Sequence, residues 1–255
     1  MKHIQSRDNA LFKQLKKLAE SGRERRKSGL TLLDGVHLVQ AYEAAFGRLE
    51  PLIVAESATN GEVADYAAAR EVVVLADALM RDLGLVDTPS GLLAMAPIPA
   101  AREGFRPDRD AILLDGVQDP GNLGTLLRTA AAAGIRQAVL SPGCASAWSP
   151  KVLRAGQGAH FALSIHEEAD LLAVMADYAG TTAVTCLDGA TSLYEAAWSG
   201  PVAWVFGAEG QGVSLPLIES AGLRIRIPMP GDVESLNVAA AAAICLFEAV
   251  RRRLA

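Results

Sequence analysis

Five polar residues between positions 122 and 237 of this 255-residue chain stand where chemistry can be done. Asn122 and Arg128 lie in Leu114 to Ala133 (LDGVQDPGNLGTLLRTAAAA). Glu209 lies in Val205 to Ser214 (VFGAEGQGVS), and Ser235 and Asn237 lie in Ile225 to Ala243 (IRIPMPGDVESLNVAAAAA). Each stretch follows a predicted strand. Glycine there lets the backbone approach a ligand closely and aim its N–H and C=O groups at it. Three such loops in one domain imply a pocket made mostly of main chain, suited to a flat, polar, charged small molecule. The five side chains have no metal-binding character, and no metal site is readable in the sequence.

Each residue also has an ordinary structural role open to it. Asn122 follows the turn Asp119-Pro120-Gly121 and suits a helix cap, worth ~1 kcal/mol. Arg128 falls six residues later, inside the same helix, among leucines and alanines. Burial there requires a partner. That partner is either a carboxylate or an anion, because a guanidinium fork matches phosphate oxygens bidentately. Glu209 suits a solvated turn, a ribose hydroxyl, a cationic ligand or a basic neighbour such as Arg128. Ser235 is placed to cap the long alanine-rich helix. Asn237, in the first turn, offers a donor and an acceptor at a helix N-terminus. The run Gly207 to Gly212 has the spacing G-x-x-G-x-G, so it fails as a dinucleotide fingerprint, and no Gly-Lys-Ser/Thr follows to make a P-loop. His3, His37, His160 and His166 are scattered, and no serine or cysteine sits in a nucleophile elbow.

These loops need a sheet to hold them. Continuous apolar runs predict strands at Ala111 to Asp115, Gln137 to Ser141, Thr181 to Cys186, Val202 to Gly207 and Leu223 to Pro228, buried on both faces. Helices are predicted at Asn122 to Ala133, Pro150 to Ala155, Glu168 to Tyr178, Ser192 to Ala197, Leu215 to Ala221 and Ser235 to Arg253. The alternation describes a doubly wound parallel sheet, whose ligands bind at the carboxyl ends of the strands. Residues 1–97 show a second, smaller β/α alternation. It has a helix over 8–27, strands at Leu30 to Leu33, Pro51 to Ala55, Glu71 to Leu75 and Gly91 to Ala96, and helices at Val36 to Phe46, Glu62 to Arg70 and Asp77 to Leu83. Residues 98–110 break the pattern with prolines and charges and read as a linker, leaving 111–255 as the main domain.

Composition narrows the partners. No apolar run reaches the ~20 residues needed to span a bilayer. The first residues lack the apolar stretch of a signal peptide. Three widely spaced cysteines (Cys144, Cys186, Cys245) form no CxxC pair, which fits a reduced cytoplasm. Net charge is −5, yet residues 1–30 hold nine lysines and arginines against three acids, and the other 225 residues carry 15 bases and 26 acids. A basic segment on an acidic body is either a solvated helix or a phosphate-contacting element.

The motifs resemble those of the SpoU/TrmH branch of the SPOUT RNA methyltransferases. Asn122-Leu-Gly124-Thr-Leu-Leu-Arg128-Thr129-Ala130 is similar to that family's N-x-G-x-x-x-R-T-A signature. Gly207-Ala-Glu209-Gly210-Gln-Gly212 is similar to its G-x-E-x-x-G. Ile227-Pro-Met-Pro-Gly231 with Ser235-Leu236-Asn237-Val238 is similar to its I-P-M-x-G-x-x-x-S-L-N-V. The resemblance covers residues 110–255 and extends to the N-terminal part, which is similar to the substrate-recognition domain of ribosomal RNA members, with Asp34 where relatives often have Glu.

The resemblance implies an α/β protein with a trefoil-knotted SPOUT parallel-sheet domain and a smaller L30e-like N-terminal α/β domain. It implies S-adenosylmethionine as methyl donor, bound near Gly207, Gly210, Ile227, Met229 and Leu236, with no metal. It implies a cytoplasmic homodimer that adds a methyl group to a ribose 2′-hydroxyl, in 23S ribosomal RNA, with the basic N-terminal region holding RNA. Arg128 would polarise or deprotonate the hydroxyl, or anchor the adjacent phosphate. Asn122 and Asn237 would orient the ribose and Arg128, Ser235 would support them, and Glu209 would brace the loop. A tRNA ribose methyltransferase, a non-catalytic RNA-binding module and a nucleotide-dependent oxidoreductase are the competing readings. The glycine spacing disfavours the last.

Overall fold

Two units divide the chain, and each is built on its own sheet. The computed structural model describes residues 2–85, 89–101, 103–187 and 189–254. Residues 1–100 and 148–161 make the first unit, and 101–147 with 162–255 the second. Arg102, in the expected linker, lies outside the described residues.

The first unit runs β1 (Lys2–Ile4), α1 (Ala10–Glu20), α2 (Gly22–Ser28), β2 (Leu30–Asp34), α3 (Val36–Phe46), β3 (Leu52–Ala55), α4 (Gly61–Ala67), β4 (Val72–Leu75), α5 (Asp77–Asp82) and β5 (Leu92–Pro97). Its sheet order is β1-β4-β3-β5-β2. The first three strands are parallel, and β5 is antiparallel to both β3 and β2. The helix predicted over 8–27 is two helices. Ser21 ends α1 by donating its N–H to Lys17 O and starts α2 by accepting from Glu24 N. The leucines of α1 at i, i+4 and i+7 face the sheet: Leu15 and Leu18, with Phe12, are buried with Leu32, Ile53, Leu75 and Leu93, and Leu11 is partly buried against them.

The basic segment is partly consumed by the fold. Arg25 is buried and donates to the carbonyls of Leu18 (2.7 Å) and Ala19 (3.3 Å). Arg7, Lys13 and Lys16 form ion pairs with Asp82, Asp8 and Glu20. Lys2, Lys17, Arg23, Arg26 and Lys27 remain exposed.

One ion-pair cluster ties α3 to the segment after α4. Arg70 pairs with Glu43 and donates to Leu49 O (2.8 Å), while Glu43 also accepts from Leu49 N (2.8 Å) and from the Tyr66 hydroxyl. Burial raises the Glu43 carboxyl, but Arg70, the Leu49 amide and Tyr66 together outweigh it and bring it from 4.5 down to about 2. A carboxyl lowered by folding stabilises the folded state above its unfolded value. That contribution is lost as pH falls through the window from about 4.5 to about 2. Glu43→Gln therefore melts earlier than wild type at neutral pH, and the gap in Tm closes as pH is lowered through this window. A gap independent of pH would show that the charge does not matter.

The second unit contributes β6 (Ala111–Asp115), α6 (Pro120–Ala132) and β7 (Gln137–Leu140). The chain then enters α7 (Pro150–Gly156), which packs with the first unit. It returns as β8 (Ser164–His166), α8 (Leu171–Ala176), β9 (Thr181–Thr185), β10 (Thr191–Ser192), β11 (Val202–Gly207), α9 (Leu215–Ser220), β12 (Leu223–Arg226) and α10 (Val238–Leu254). The seven strands lie in the order β10-β12-β9-β11-β6-β7-β8, and every pairing is parallel. All five predicted strands are present. Burial holds for β6, β7 and β11, with Ala111 to Leu114 and Ala203 to Phe206 almost wholly enclosed, but fails for β12, an inner strand of alternating Arg and apolar residues in which only Ile225 is buried and Arg226 is exposed. Two short strands, β8 and β10, were not predicted. β10 takes the start of the helix predicted at Ser192 to Ala197, and the residues after it form turns.

The two alanine-rich helices, α6 and α10, pack against each other. Small residues make that approach close: Gly124 and Ala130 on α6, and Ala239, Ala242 and Ala249 on α10, are buried. Both helices begin beside the carboxyl ends of strands, one after β6 and one after β12.

Candidate active site

The three glycine-bearing loops leave the carboxyl ends of β6, β11 and β12. β11 lies beside β6, with Gly207 in register with Asp115. β12 is two places away, beyond β9.

α6 starts earlier than predicted. Its cap is Asp119, whose carboxylate accepts from Asn122 N (2.7 Å), and Pro120 fills the first turn, where a missing N–H costs nothing. Asn122 is thereby released from capping. Its side-chain amide donates to the Glu209 carboxylate, and its carbonyl accepts from Asn237 Nδ2 at 2.9 Å.

α10 starts later than predicted. It begins at Val238, and the cap is Asn237 rather than Ser235, with Asn237 Oδ1 accepting from the amides of Ala239 (2.9 Å) and Ala240 (3.3 Å). The helix amides hold Oδ1, so Nδ2 must face Asn122. Asn122 must then turn its own amide toward an acceptor, and Glu209 supplies one. The hydrogen bonds thus run in one direction, from Asn237 to Asn122 to Glu209, and join the three motifs.

The middle loop folds back on its own strand. Gly212 N donates to Ala208 O (2.9 Å), and Gly210 (φ +81°) and Gly212 (φ +70°) take left-handed conformations that favour glycine. Gly207 is buried beneath this turn, and a Cβ there would overlap the backbone of Gly212 and the amide of Val213.

Arg128 stands apart from this linked set. It lies on the exposed side of α6 and has no hydrogen bond or ion pair among the described residues. Of the two partners open to it, a carboxylate of the chain is not the one found among the described residues: solvent faces its charge, and Glu209 is engaged by Asn122 instead. Ser235 is exposed, with no hydrogen bond among the described residues. Ile227 and Met229 are half-buried, and Leu236 is 37% exposed. The sequence reading passed over Asp115, whose carboxylate accepts from Ser214 N (2.9 Å) and Ser141 Oγ (3.2 Å). Its place at a strand end just before a glycine was the available signal.

Among the described residues, no group of three or more His, Cys, Asp or Glu is placed to hold a metal ion. No helix among them is long and apolar enough to cross a membrane.

Solved structures place this architecture in a class. A crystal structure titled as an RNA 2′-O ribose methyltransferase superposes with a TM-score of 0.85 at 31% identity, covering 99% of this chain and 100% of that one. An AdoMet-bound rRNA methyltransferase from Sinorhizobium meliloti superposes at 0.80 with 26% identity, covering 100% and 98%. The fold is that of the SPOUT methyltransferases, an α/β parallel-sheet domain with an N-terminal companion.

The family follows from the sequence matches. Residues 110–247 match the SpoU rRNA Methylase family, and residues 9–94 match the MRM3-like substrate binding domain. The chain is 34% identical over 251 residues to the 23S rRNA (guanosine(2553)-2′-O)-methyltransferase RlmP of Bacillus subtilis, covering 97% of this chain and 98% of that protein. It is 38% identical over 151 residues to the 23S rRNA (guanosine-2′-O-)-methyltransferase RlmB of Vibrio parahaemolyticus, covering 56% and 60%. The chain belongs to the SpoU rRNA methylase family.

Proposed function

We propose that this protein transfers a methyl group from S-adenosylmethionine to a ribose 2′-hydroxyl of 23S ribosomal RNA. The observation that carries the reading is the joining of three motif loops by Asn237, Asn122 and Glu209, with Arg128 exposed on the same helix as Asn122 and without a hydrogen bond or ion pair among the described residues. The donor fits this place. Main-chain groups of the loops after Gly207 and Arg226, with the partly exposed side chains of Ile227, Met229 and Leu236, would hold it, and Gly207 and Gly210 would keep the backbone close. When bound, the donor supplies a methyl group already activated on a sulfonium.

The chain's own residues act on the RNA. Arg128 donates to a phosphate oxygen and to the neighbouring 2′-oxygen, which stabilises the charge that develops there as the hydroxyl proton passes to the adjacent phosphate or to water. Asn122 and Asn237 fix the ribose relative to Arg128, Ser235 supplies a further hydroxyl contact, and Glu209 holds Asn122 in the required orientation. Incubation with labelled donor and separated rRNA and tRNA pools, followed by nucleoside mass spectrometry, tests the reading. Label in a 2′-O-methylribose of 23S rRNA supports it. Label only in tRNA, or donor binding without transfer to either pool, refutes it.

Asn237→Asp separates the two jobs of Asn237. The carboxylate still caps α10 and suits the helix dipole, but it cannot donate to Asn122 Oδ1. Methyl transfer falls by about two- to tenfold, the scale of one neutral hydrogen bond, while Tm is unchanged. Unaltered kcat would remove the relay from the site.

RNA would be held by the exposed basic residues of α1 and α2. Lys17, Arg23, Arg26 and Lys27 carry this reading, because the other bases of the segment, Lys2 apart, are engaged within the fold. Replacing all four by alanine flattens the salt dependence of RNA affinity by up to roughly 3 in log–log slope. An unchanged slope would exclude them.

We also infer a cytoplasmic homodimer and a trefoil knot. Exposed Phe247 on α10 supports a second copy covering that helix. The late strands β11 and β12 lie between strands laid down earlier, an order compatible with a threaded chain. Sedimentation at micromolar concentration tests the dimer.

A further inference from the structure

The loop Ala208 to Val213 is tied at both ends. Gly207, its entrance, is paired in the sheet with Asp115, and Ser214, its exit, donates its backbone N–H to Asp115 Oδ2 at 2.9 Å. The other carboxylate oxygen accepts from Ser141 Oγ (3.2 Å), and that hydroxyl in turn accepts from Gly116 N (2.9 Å). Ser141 stands at the end of β7, where its own N–H is held by Leu114 O (2.9 Å). One half-buried carboxylate therefore joins the carboxyl ends of three neighbouring strands, β11, β6 and β7, below the Glu209 turn. Charged acceptors make the stronger hydrogen bonds. Between the two anchors, among the described residues, the loop is held by its return bond from Gly212 N to Ala208 O and by the bond from Asn122 to Glu209.

We propose that Asp115 is a positioning residue for methyl-donor binding. It fixes the exit of the Glu209 loop so that the loop's main-chain groups are set before the donor arrives, and it acts through Ser214 without touching the RNA. The inference rests on the methyltransferase reading and deepens it. Preorganisation of this kind appears in donor affinity, because loop ordering no longer has to accompany binding.

The test uses the full-length chain, S-adenosylmethionine in calorimetry, and ribosomal RNA as acceptor in turnover. Asp115→Ala weakens donor binding by roughly tenfold or more, the scale of a lost charged hydrogen bond. The KM for RNA stays within a factor of about two. Asp115→Asn keeps an acceptor for Ser214 N and recovers most of the affinity. Ser141→Ala provides an independent variant should the Asp115→Ala protein fail to fold. It deletes the hydroxyl that donates to the second carboxylate oxygen of Asp115 and leaves the Ser214 N–H in place. It weakens donor binding in the same direction. Unchanged donor affinity in either folded variant overturns the proposal, as does an equal loss in the asparagine protein. A wild-type chain that fails to bind S-adenosylmethionine overturns the methyltransferase reading, and the positioning role falls with it.

Discussion

Arg128→Ala lowers methyl transfer by at least about a hundredfold, the effect of removing one donor aimed at developing charge, and leaves donor binding and thermal stability in place. The separation follows from the position of the side chain. Arg128 projects from the exposed side of α6 and takes part in no hydrogen bond or ion pair among the described residues. Alanine is the better helix former, and removal of an exposed, unpaired side chain changes stability by no more than about 0.5 kcal/mol. The guanidinium contributes nothing measurable to the fold, so any large loss of rate reports chemistry or RNA placement. Arg128→Lys retains the charge but loses the bidentate fork, and it restores only a small part of the activity. Single-turnover rates beside donor calorimetry make the measurement. Transfer within a few-fold of wild type would end the assignment, and joint loss of donor binding would point to a disturbed loop.

Gly207→Ala acts at the opposite extreme, through the backbone. Eleven of the described glycines have open space where a Cβ would stand, but at Gly207 the added methyl overlaps Gly212 and the amide of Val213. These are main-chain atoms, so no rotamer change relieves the overlap. The loop must lift from β11, and the strand below cannot yield, because Phe206 and Val205 are fully enclosed. Overpacking of this kind costs about 1–3 kcal/mol. The displaced loop carries Glu209 with it, so Asn122 loses its acceptor as well. Donor binding falls below detection in calorimetry, while the chain remains folded by circular dichroism. Retained affinity would show that the donor does not use this loop.

The central strands were legible because a parallel sheet covered on both faces leaves continuous apolar runs such as AILL and VAWVF. β8 and β10 were not, because Ser164, His166, Thr191 and Ser192 are polar and the strands are two or three residues long. β1 escaped for a similar reason: three residues, two of them exposed, give no period to read. The break at Ser21 was hidden because the apolar stripe of α1 ends at Leu18, so periodicity carries no information beyond it.

In the site, residue types and loop spacing identified Asn122, Glu209 and Asn237, which the fold brings together. The spacing did not reveal their roles, because capping is a competition among neighbours. Asp119 displaced Asn122 from the cap of α6, and Asn237 took from Ser235 the cap of α10. A one-residue choice in capping decided which amide was left to face its neighbour. No pattern could show the exposure of Arg128, since it depends on which side of α6 meets α10.

The first unit has a consequence for biosynthesis. Its fold includes α7, where Val152 and Leu153 are buried, Arg154 pairs with the almost fully enclosed Asp34 (3.0 Å), and Trp148 O accepts from Thr31 Oγ1 (2.6 Å). These residues are encoded after β6, α6 and β7. At roughly 5–20 residues per second, the nascent N-terminal part waits about 3–12 s between the emergence of residue 100 and that of residue 161. During this interval Asp34 has no guanidinium, and part of the first core stays open. The first unit is therefore still unfinished when its first hundred residues have emerged, and translation speed through codons 101–161 sets how long its open surface is available to chaperones.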